Sequence, residues 1–281
     1  MPMKLLTILL LTPVFAFSQN KIKAVVINSK GEPLPYTNVV SLKKNIGAIT
    51  NENGEFEIDN IDNADSIKIS NIAFIPRVLA VGDLYLGEKI ILADSIKKLE
   101  DIVIRNFSKF KNIRTLGFLN YPINGEFKLL PGNQLATFIS NNFKREGWIK
   151  GVYFKVKNFG KCENSLRIRL LRVDTTEFKP GIDIVNENII LSNDVLKKTN
   201  YIDLSDYKII LPKNGLFVVI EWLYPDHDCD KNSYSSIAAN LDIETNLVWL
   251  NFRDKNWGHS NRPRLPNGNF MTPDIGIKVA Y

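Results

Sequence analysis

Short runs of alternating apolar and polar residues, broken every few positions by Gly, Pro or Asn, fill most of the chain. Ile22, Ala24 and Val26 alternate before Asn28-Ser29-Lys30-Gly31 turns the chain, and Tyr36 to Leu42 reads as a second strand. Asn45-Ile46-Gly47 leads into a third strand ending near Thr50. Asn53-Gly54 is the strongest hairpin signal, because a type I′ turn needs positive φ at both central residues. Phe56 and Ile58 follow it as alternate inward positions, and Ile67 with Ile69, Val78 with Ala80 and Ile90-Ile91-Leu92 complete roughly seven strands. No apolar stripe of helical period persists over this stretch, so a small β-sandwich is expected from residue 19 to 93.

The region 114–281 is again rich in strand patterns. Trp148, Lys150, Val152, Phe154 and Val156 alternate with Ile149, Gly151, Tyr153 and Lys155. Leu166, Ile168, Leu170 and Arg172 alternate with Arg167, Arg169, Leu171 and Val173. Leu216 to Leu223 is apolar throughout except for Glu221, the pattern of a strand covered on both faces. Asn246 to Phe252 and Ile275 to Tyr281 close the set, and Asn193 to Lys198 has room for one helical turn. About eight to ten strands of this length predict a second, larger β-sandwich of jelly-roll type. The whole chain is therefore expected to be all-β, with a connector over 94–113 whose Asp94 to Asp101 half is charged.

The first 18 residues depart from this pattern. Lys4 precedes an apolar run from Leu5 to Phe17 broken by Thr7, Thr12 and Pro13, and Ala16-Phe17-Ser18 offers small residues where signal peptidase cuts. The run is too short to span a bilayer comfortably and no Cys follows it, so a cleaved export signal is expected over a lipoprotein anchor. No second apolar stretch approaches spanning length, so the mature chain is expected to carry no transmembrane segment. Export leaves periplasm, outer-membrane attachment and release all open. An oxidising compartment changes the meaning of the two cysteines, Cys162 and Cys229, which stand in polar loop-like segments. A disulfide and a pair of free thiols both remain open, and the absence of Cys-x-x-Cys argues against redox catalysis.

Two spaced motifs carry a family resemblance. Gly31-Glu32-Pro33-Leu34-Pro35-Tyr36-Thr37-Asn38-Val39, then Gly47-Ala48-Ile49-Thr50-Asn51-Glu52-Asn53-Gly54-Glu55-Phe56, resemble the carboxypeptidase-regulatory-like domain. The resemblance implies a seven-stranded transthyretin-like sandwich, common in exported proteins of Bacteroidetes-type bacteria, where it often precedes the plug of TonB-dependent receptors. Ala73-Phe74 stands where the family usually shows Gly-Tyr, which implies a less strained backbone there. Leu99-Glu100-Asp101-Ile102-Val103-Ile104 resembles the segment that follows the domain in those receptors. The remaining residues are far too few for a barrel of about 22 strands at about ten residues each, so a receptor is not expected. The family name does not imply peptidase activity. A zinc peptidase needs His-x-x-Glu and a further His, whereas only His227 and His259 exist and neither has Glu three residues on.

Other constellations are sparse. The chain carries 36 Lys and Arg against 30 Asp and Glu, a net charge of +6, but the basic residues are scattered and nucleic-acid binding is not expected. Asp226, Asp228 and Asp230 alternate around His227 and Cys229, which admits a solvated loop or a weak calcium site. Glu221 has two readings as well, an ion pair with Arg167 or Arg169 from a neighbouring strand, or a general acid with a raised pKa in a glycan hydrolase. Tyr224, Trp249 and Trp257 lie among Asn, Asp and Arg and admit either core packing or a sugar-stacking platform. No phosphate loop, nucleophile elbow or catalytic triad is apparent. The sequence thus predicts a non-enzymatic exported cell-envelope protein without cofactor, a scaffold or docking module whose C-terminal sandwich binds a protein partner or a glycan. The alternatives are a carbohydrate-binding module proper and a hydrolase using Glu221.

Overall fold

The computed structural model describes residues 21–95, 107–119, 121–162, 165–225, 229–230, 232–253, 255–260 and 268–281. The expected export signal over residues 1–18 and the Ile102-Val103-Ile104 run lie outside the described residues. All regular elements are strands apart from four short 3-10 turns, one of them at Asn193–Val195 where a helical turn was expected.

Seven strands build the N-terminal sandwich. Glu55–Ile58, Ile22–Asn28 and Glu88–Leu92 form one sheet, with the first and last strands of the domain running parallel. Gly47–Ile49, Asn38–Ser41, Ser66–Ser70 and Arg77–Ala80 form the other. Ala24, Val26, Phe56, Ile67, Ile69, Ile90 and Leu92 meet between them, as the alternation of single strands requires.

The Asn53-Gly54 turn differs from the type I′ hairpin predicted for it. The strands flanking it, Gly47–Ile49 and Glu55–Ile58, lie in different sheets. Gly54 alone has positive φ, +73°, and its amide donates to the Asn51 carbonyl while Asn51 donates to the Glu55 carbonyl. This is a three-residue loop closed by a glycine in the left-handed region. The Asn51 side chain fixes it by accepting from the Asn53 and Glu55 amides at 3.0 Å each. The same device turns the chain at Asn28, where the side chain accepts from Lys30 and Glu32 and Gly31 sits at φ +83°. Asn-x-x-Gly-Glu is thus used twice, and the glycine at 54 also lets the loop press on the first strand, whose Val26 amide donates to the Gly54 carbonyl at 2.7 Å.

Asp65 closes the other end of the domain. It is buried and accepts from Ser41 Oγ and from the Lys43 and Ser66 amides. Burial raises its pKa, but these hydrogen bonds outweigh burial and hold the carboxyl below its usual range.

Ala73 corrects a second expectation. Its φ is +71°, so the backbone is in the left-handed region at this alanine and the methyl group bears the strain. The turn is retained because Ser95 donates to the Ala73 carbonyl at 2.8 Å and Ile75 donates to Ala93. Ala73→Gly is therefore expected to stabilise the protein by up to about 1 kcal/mol, the left-handed strain less the added freedom of the unfolded chain. Thermal or urea unfolding measures it, and a lower midpoint would contradict the strain argument.

The C-terminal domain has fifteen described strands, more than the eight to ten expected, because several are only two to five residues long. The first sheet orders Lys179–Asp183, Leu166–Asp174, Leu216–Trp222, Asn133–Ile139, Val248–Phe252 and Trp257–His259, with Ile189–Leu191 also on Leu166–Asp174. The second orders Phe270–Pro273, Ser236–Ile243, Gly147–Asn158, Ile275–Ala280 and Ile113–Gly117. Thr199–Asp203 and Ile210–Leu211 add to its long Gly147–Asn158 strand, and Gly125–Phe127 adds to Ser236–Ile243. From Gly125 onward the chain passes repeatedly between the two sheets and every pairing is antiparallel, a jelly-roll type of sandwich. Phe154, Ile168, Val218, Ile220, Trp222, Ile237 and Ile277 fill the space between them.

The alternation expected from Trp148 to Val156 is broken at one point. The register against Ile275–Ala280 shifts between Ile149 and Gly151, so Lys150 is an extra residue. Ile149 therefore shares the core with Val152, Phe154 and Val156, while Trp148, Tyr153 and Lys155 are only partly buried.

Cys162 and Cys229 are bonded, with an S–S distance of 2.04 Å across 67 residues of sequence. The bridge ties the loop after Gly147–Asn158 to the segment before Ser236–Ile243, and Cys162 lies against the main core. Closing a loop of this length stabilises a fold by about 4 kcal/mol through the unfolded chain. The double substitution Cys162→Ser with Cys229→Ser is expected to lose most of that, and thiol labelling of denatured, unreduced wild-type protein should find no reactive thiol.

Candidate functional site

The strand Leu216–Trp222 is buried on both faces, and the two faces meet different partners. Leu216, Val218, Ile220 and Trp222 point into the sandwich. Phe217 and Val219 lie on the outer face under a small aromatic cluster. Glu221, next on that outer face, is fully buried beneath the N-terminal domain.

The arrangement around Glu221 is a buried polar network in which Asn38 Oδ1 and Arg167 Nε have no hydrogen-bond partner among the described residues. Arg167, directly opposite on the neighbouring strand, donates from Nη1 to Glu221 Oε2 at 3.1 Å. Asn38 of the N-terminal domain donates to Glu221 Oε1, and Gln134 Nε2 approaches the same oxygen at 3.4 Å. Arg167 Nη2 donates across the junction to the Tyr36 carbonyl. Arg169 makes a bidentate pair with Asp183 at 2.9 Å on both arms and donates to Gln134 Oε1 at 3.0 Å. Burial lowers the Arg167 pKa and Glu221 opposes that shift. Of the two arginines the sequence offered, Arg167 takes the carboxylate and Arg169 supports it through Gln134.

Tyr224 is the second part of the junction. Its ring sits between a glycine of each domain, since a Cβ on Gly47 would lie 2.7 Å from Tyr224 Cζ and one on Gly132 2.6 Å from its hydroxyl. Gly132 also has φ +76° and donates to the Trp222 carbonyl at 2.7 Å, so both glycines are fixed by contact. Burial pushes the Tyr224 phenol well above its usual pKa, with Arg253 opposing it. Arg253 completes the contact by donating to the Lys44 carbonyl at 2.8 Å. A polar cleft of about 170 Å³ runs beside the network, lined from both domains by Lys68, Asn71, Arg169 and Asp183 among others.

Of the three aromatic candidates, Trp249 and Trp257 meet in one cluster and Tyr224 stands apart at the domain junction. Tyr224 is the wedge just described. Trp249 is only 3% exposed and packs edge-on against Phe217 at 4.9 Å and His259 at 4.1 Å, so its ring faces are taken by neighbours. Trp257 is half-buried and covers the same cluster. Tyr224 and Trp249 are thus buried in packing contacts, and Trp257 is partly buried against the Trp249 cluster. Asp226 and Asp228 lie outside the described residues. Asp230 accepts from the Asn232 amide at 2.7 Å, and no group of three or more metal-ligating side chains occurs among the described residues.

An exposed aromatic surface does exist, on the outer face of the second sheet. Tyr153 and Tyr201 stand directly opposite on paired strands, ring centres 4.6 Å apart and tilted by 34°. The Tyr201 ring lies across Gly151, where a Cβ would stand 2.6 Å from its Cζ, and its hydroxyl donates to the Lys150 carbonyl at 3.1 Å. Lys278, opposite Gly151 on the other side, puts Nζ 5.5 Å from the Tyr201 ring centre. Lys150 Nζ covers Trp148 at 3.2 Å, and Phe107 packs on the same indole at 4.9 Å. Hydrogen bonds from Ser205 hold the Asp203 carboxyl below its usual range, with Lys150 and Lys278 adding to the effect. Sequence reasoning placed Trp148 and Tyr153 on a strand but not on this surface. The available signal was Gly151 within a strand, which marks a bulge or a close approach.

A family model for the CarboxypepD_reg-like domain matches residues 22–104, and the N-terminal sandwich is such a domain. No curated protein matches the sequence. Among solved structures, a type II cohesin–X-dockerin complex from Acetivibrio cellulolyticus, a C-terminal interface mutant, aligns over 26% of this chain and 56% of that one. The identity is 17% and the TM-score 0.22. A DUF3823 family protein from Parabacteroides merdae aligns over 73% of this chain and 98% of its own, at 10% identity and a TM-score of 0.21. TM-scores of this size do not establish a shared fold. No helix among the described residues is long and apolar enough to cross a membrane.

Removing one partner of a buried ion pair leaves an uncompensated charge and typically costs about 3–5 kcal/mol, whereas replacing both with apolar residues of similar volume is often near neutral. Arg167→Ala is therefore expected to destabilise by about that amount and to expose the domain junction to limited proteolysis. Arg167→Met combined with Glu221→Leu should recover much of the loss. Additive losses in the double variant would show that the pair does not act as a unit.

Proposed function

We propose that the chain is an exported, non-enzymatic protein of the cell envelope, in which the N-terminal domain is a docking scaffold and the C-terminal sandwich is the ligand-binding unit. The observation that carries the reading is the use of Glu221. The one carboxylate set in an apolar strand is committed to Arg167 and Asn38 at the domain junction. No substrate reaches it while the domains are docked, which removes the acid that a hydrolase of this chain would use. The reading calls for no cofactor. Export rests on the Lys4 to Ser18 segment and on the company the N-terminal family keeps.

The N-terminal domain carries a feature suited to docking. Tyr85 and Leu86 are 78% and 80% exposed at the tip of a tight turn. The turn is fixed, because Glu88 donates to the Tyr85 carbonyl at 3.1 Å and Gly87, at φ +79°, donates to the Lys23 carbonyl at 2.7 Å. A rigid apolar tip offers contact area at little ordering cost, the property of an interface anchor. A second reading, a carbohydrate-binding module, is favoured by the Tyr153–Tyr201 surface.

In vivo photo-cross-linking from Asp83 is the test of docking. A discrete envelope-protein adduct is expected, and Tyr85→Ser with Leu86→Ser should reduce its yield about tenfold or more. Both side chains are solvent-exposed, so the unfolding midpoint should stay unchanged. Absence of any adduct, or an adduct indifferent to the double substitution, would remove the docking role of this tip.

A further inference from the structure

The outer face of the second sheet combines three properties that a soluble sandwich does not need for its own stability. It carries an aromatic pair that is open to solvent, Tyr201 being 40% exposed. It holds one ring flat against backbone, because the bulge at Lys150 and the bare Gly151 leave a seat for Tyr201. It sets lysines near that ring, with Lys278 Nζ 5.5 Å from its centre, Lys150 over the neighbouring Trp148, and both lysines acting on the Asp203 carboxylate. Lys155 also lies on this strand, but Asp274 at 2.9 Å neutralises it.

Each property answers to one part of an acidic sugar. The C–H face of a pyranose ring is apolar and packs on a flat aromatic ring. A ring already pinned through its hydroxyl loses little freedom when a ligand covers it. Ammonium groups at the rim meet carboxylate or sulfate substituents, and the net charge of +6 adds a general attraction for polyanions. We infer that Tyr201 and Tyr153, flanked by Lys278 and Lys150, form a binding subsite for an acidic polysaccharide. This rests on the reading of the C-terminal sandwich as the binding unit.

The experiment is affinity electrophoresis of the full mature chain in gels containing polygalacturonate or chondroitin sulfate, with dextran as the neutral control. Retardation by at least one acidic polymer and none by dextran is expected, weakening as salt screens the lysines. Tyr201→Ala should reduce affinity at least tenfold and Tyr201→Phe should keep most of it, since stacking needs the ring and not the hydroxyl. Lys278→Glu, a rim change that leaves Gly151 and Tyr201 in place, should reduce affinity several-fold and flatten the salt dependence. That keeps the test decisive even where Tyr201→Ala loosens the strand. Retardation unaffected by Lys278→Glu and Tyr201→Ala alike, or retardation by dextran to the same extent, overturns the subsite. A photo-cross-linker at Thr199 separates the two levels of the argument. Capture of a protein there, without retardation, overturns the glycan subsite and leaves the C-terminal domain as a binding unit. No capture and no retardation overturns both.

Discussion

The ion pair of Arg167 with Glu221 governs how the two halves of the chain relate. A charged side chain in the middle of an apolar strand is costly unless it is paired and hydrogen-bonded. Here Gln134 of the same sheet adds one contact at 3.4 Å, and the other domain adds the Asn38 amide and the Tyr36 carbonyl. The C-terminal sandwich alone would leave those charges at a water-exposed sheet face. The N-terminal domain alone would leave its own turn at Tyr36 to Asn38 in solvent. Docked, the two bury the network together, and the Tyr224 ring between Gly47 and Gly132 fixes their approach sterically. Directional hydrogen bonds set the orientation, and a ring between two glycines sets the distance. Both junction glycines lack room for a methyl group, so the domains fit in one way.

This junction also explains the composition of the first sheet. A strand apolar on both faces has to be covered on both. The Leu216–Trp222 strand meets the sandwich core on one side. Its other side is divided between an aromatic cluster around Trp249 and the N-terminal domain over Glu221. The change of cover coincides with the change of chemistry along the strand, from Phe217 and Val219 to Glu221.

Much of this fold was legible in the sequence because the signal was local. Alternation in Ile22, Ala24 and Val26, the unbroken Leu216 to Leu223 run and the two motifs around Pro33 and Asn53 each report a neighbourhood a few residues wide. Glu221 could be paired with one of two arginines by strand spacing alone, since Arg167 and Arg169 both alternate outward from the Leu166, Ile168 and Leu170 face. The failures share one cause, a long-range choice that short patterns do not encode. Asn53-Gly54 specifies a turn but not whether the strands after it pair with each other. Lys150 is an extra residue only relative to a partner strand more than a hundred positions away, so a simple alternation misassigned Ile149. Tyr224, Trp249 and Trp257 share a polar neighbourhood in sequence, yet Tyr224 is taken up by the domain junction while the two tryptophans pack in one outer-face cluster. Ala73 shows the reverse case. The backbone is left-handed at an alanine, because the hydrogen bonds Ser95 to Ala73 and Ile75 to Ala93 define the path more strongly than one methyl group opposes it.

Covering one sheet decides what is left for the other. The first sheet of the C-terminal sandwich has its outer face occupied by the N-terminal domain and by the Trp249 cluster, so that side of the molecule is committed to architecture. The second sheet has no domain against its outer face among the described residues. Its exposed side chains are nevertheless unlike a plain solvated surface, which would carry scattered charge and few rings. Tyr201 could have been any polar residue if its only task were to cross Gly151. A tyrosine there, bound through its hydroxyl to the Lys150 carbonyl and met by Tyr153 on one side and Lys278 on another, is held still while staying open. Rigidity on an exposed aromatic surface adds little to the stability of a fold already anchored by a disulfide and a buried ion pair. Its physical advantage is in binding, where an immobile ring has less entropy to lose. On the proposed reading, the buried junction on one side and the open surface on the other belong to one design, in which the N-terminal domain fixes the sandwich and the sandwich presents its free face.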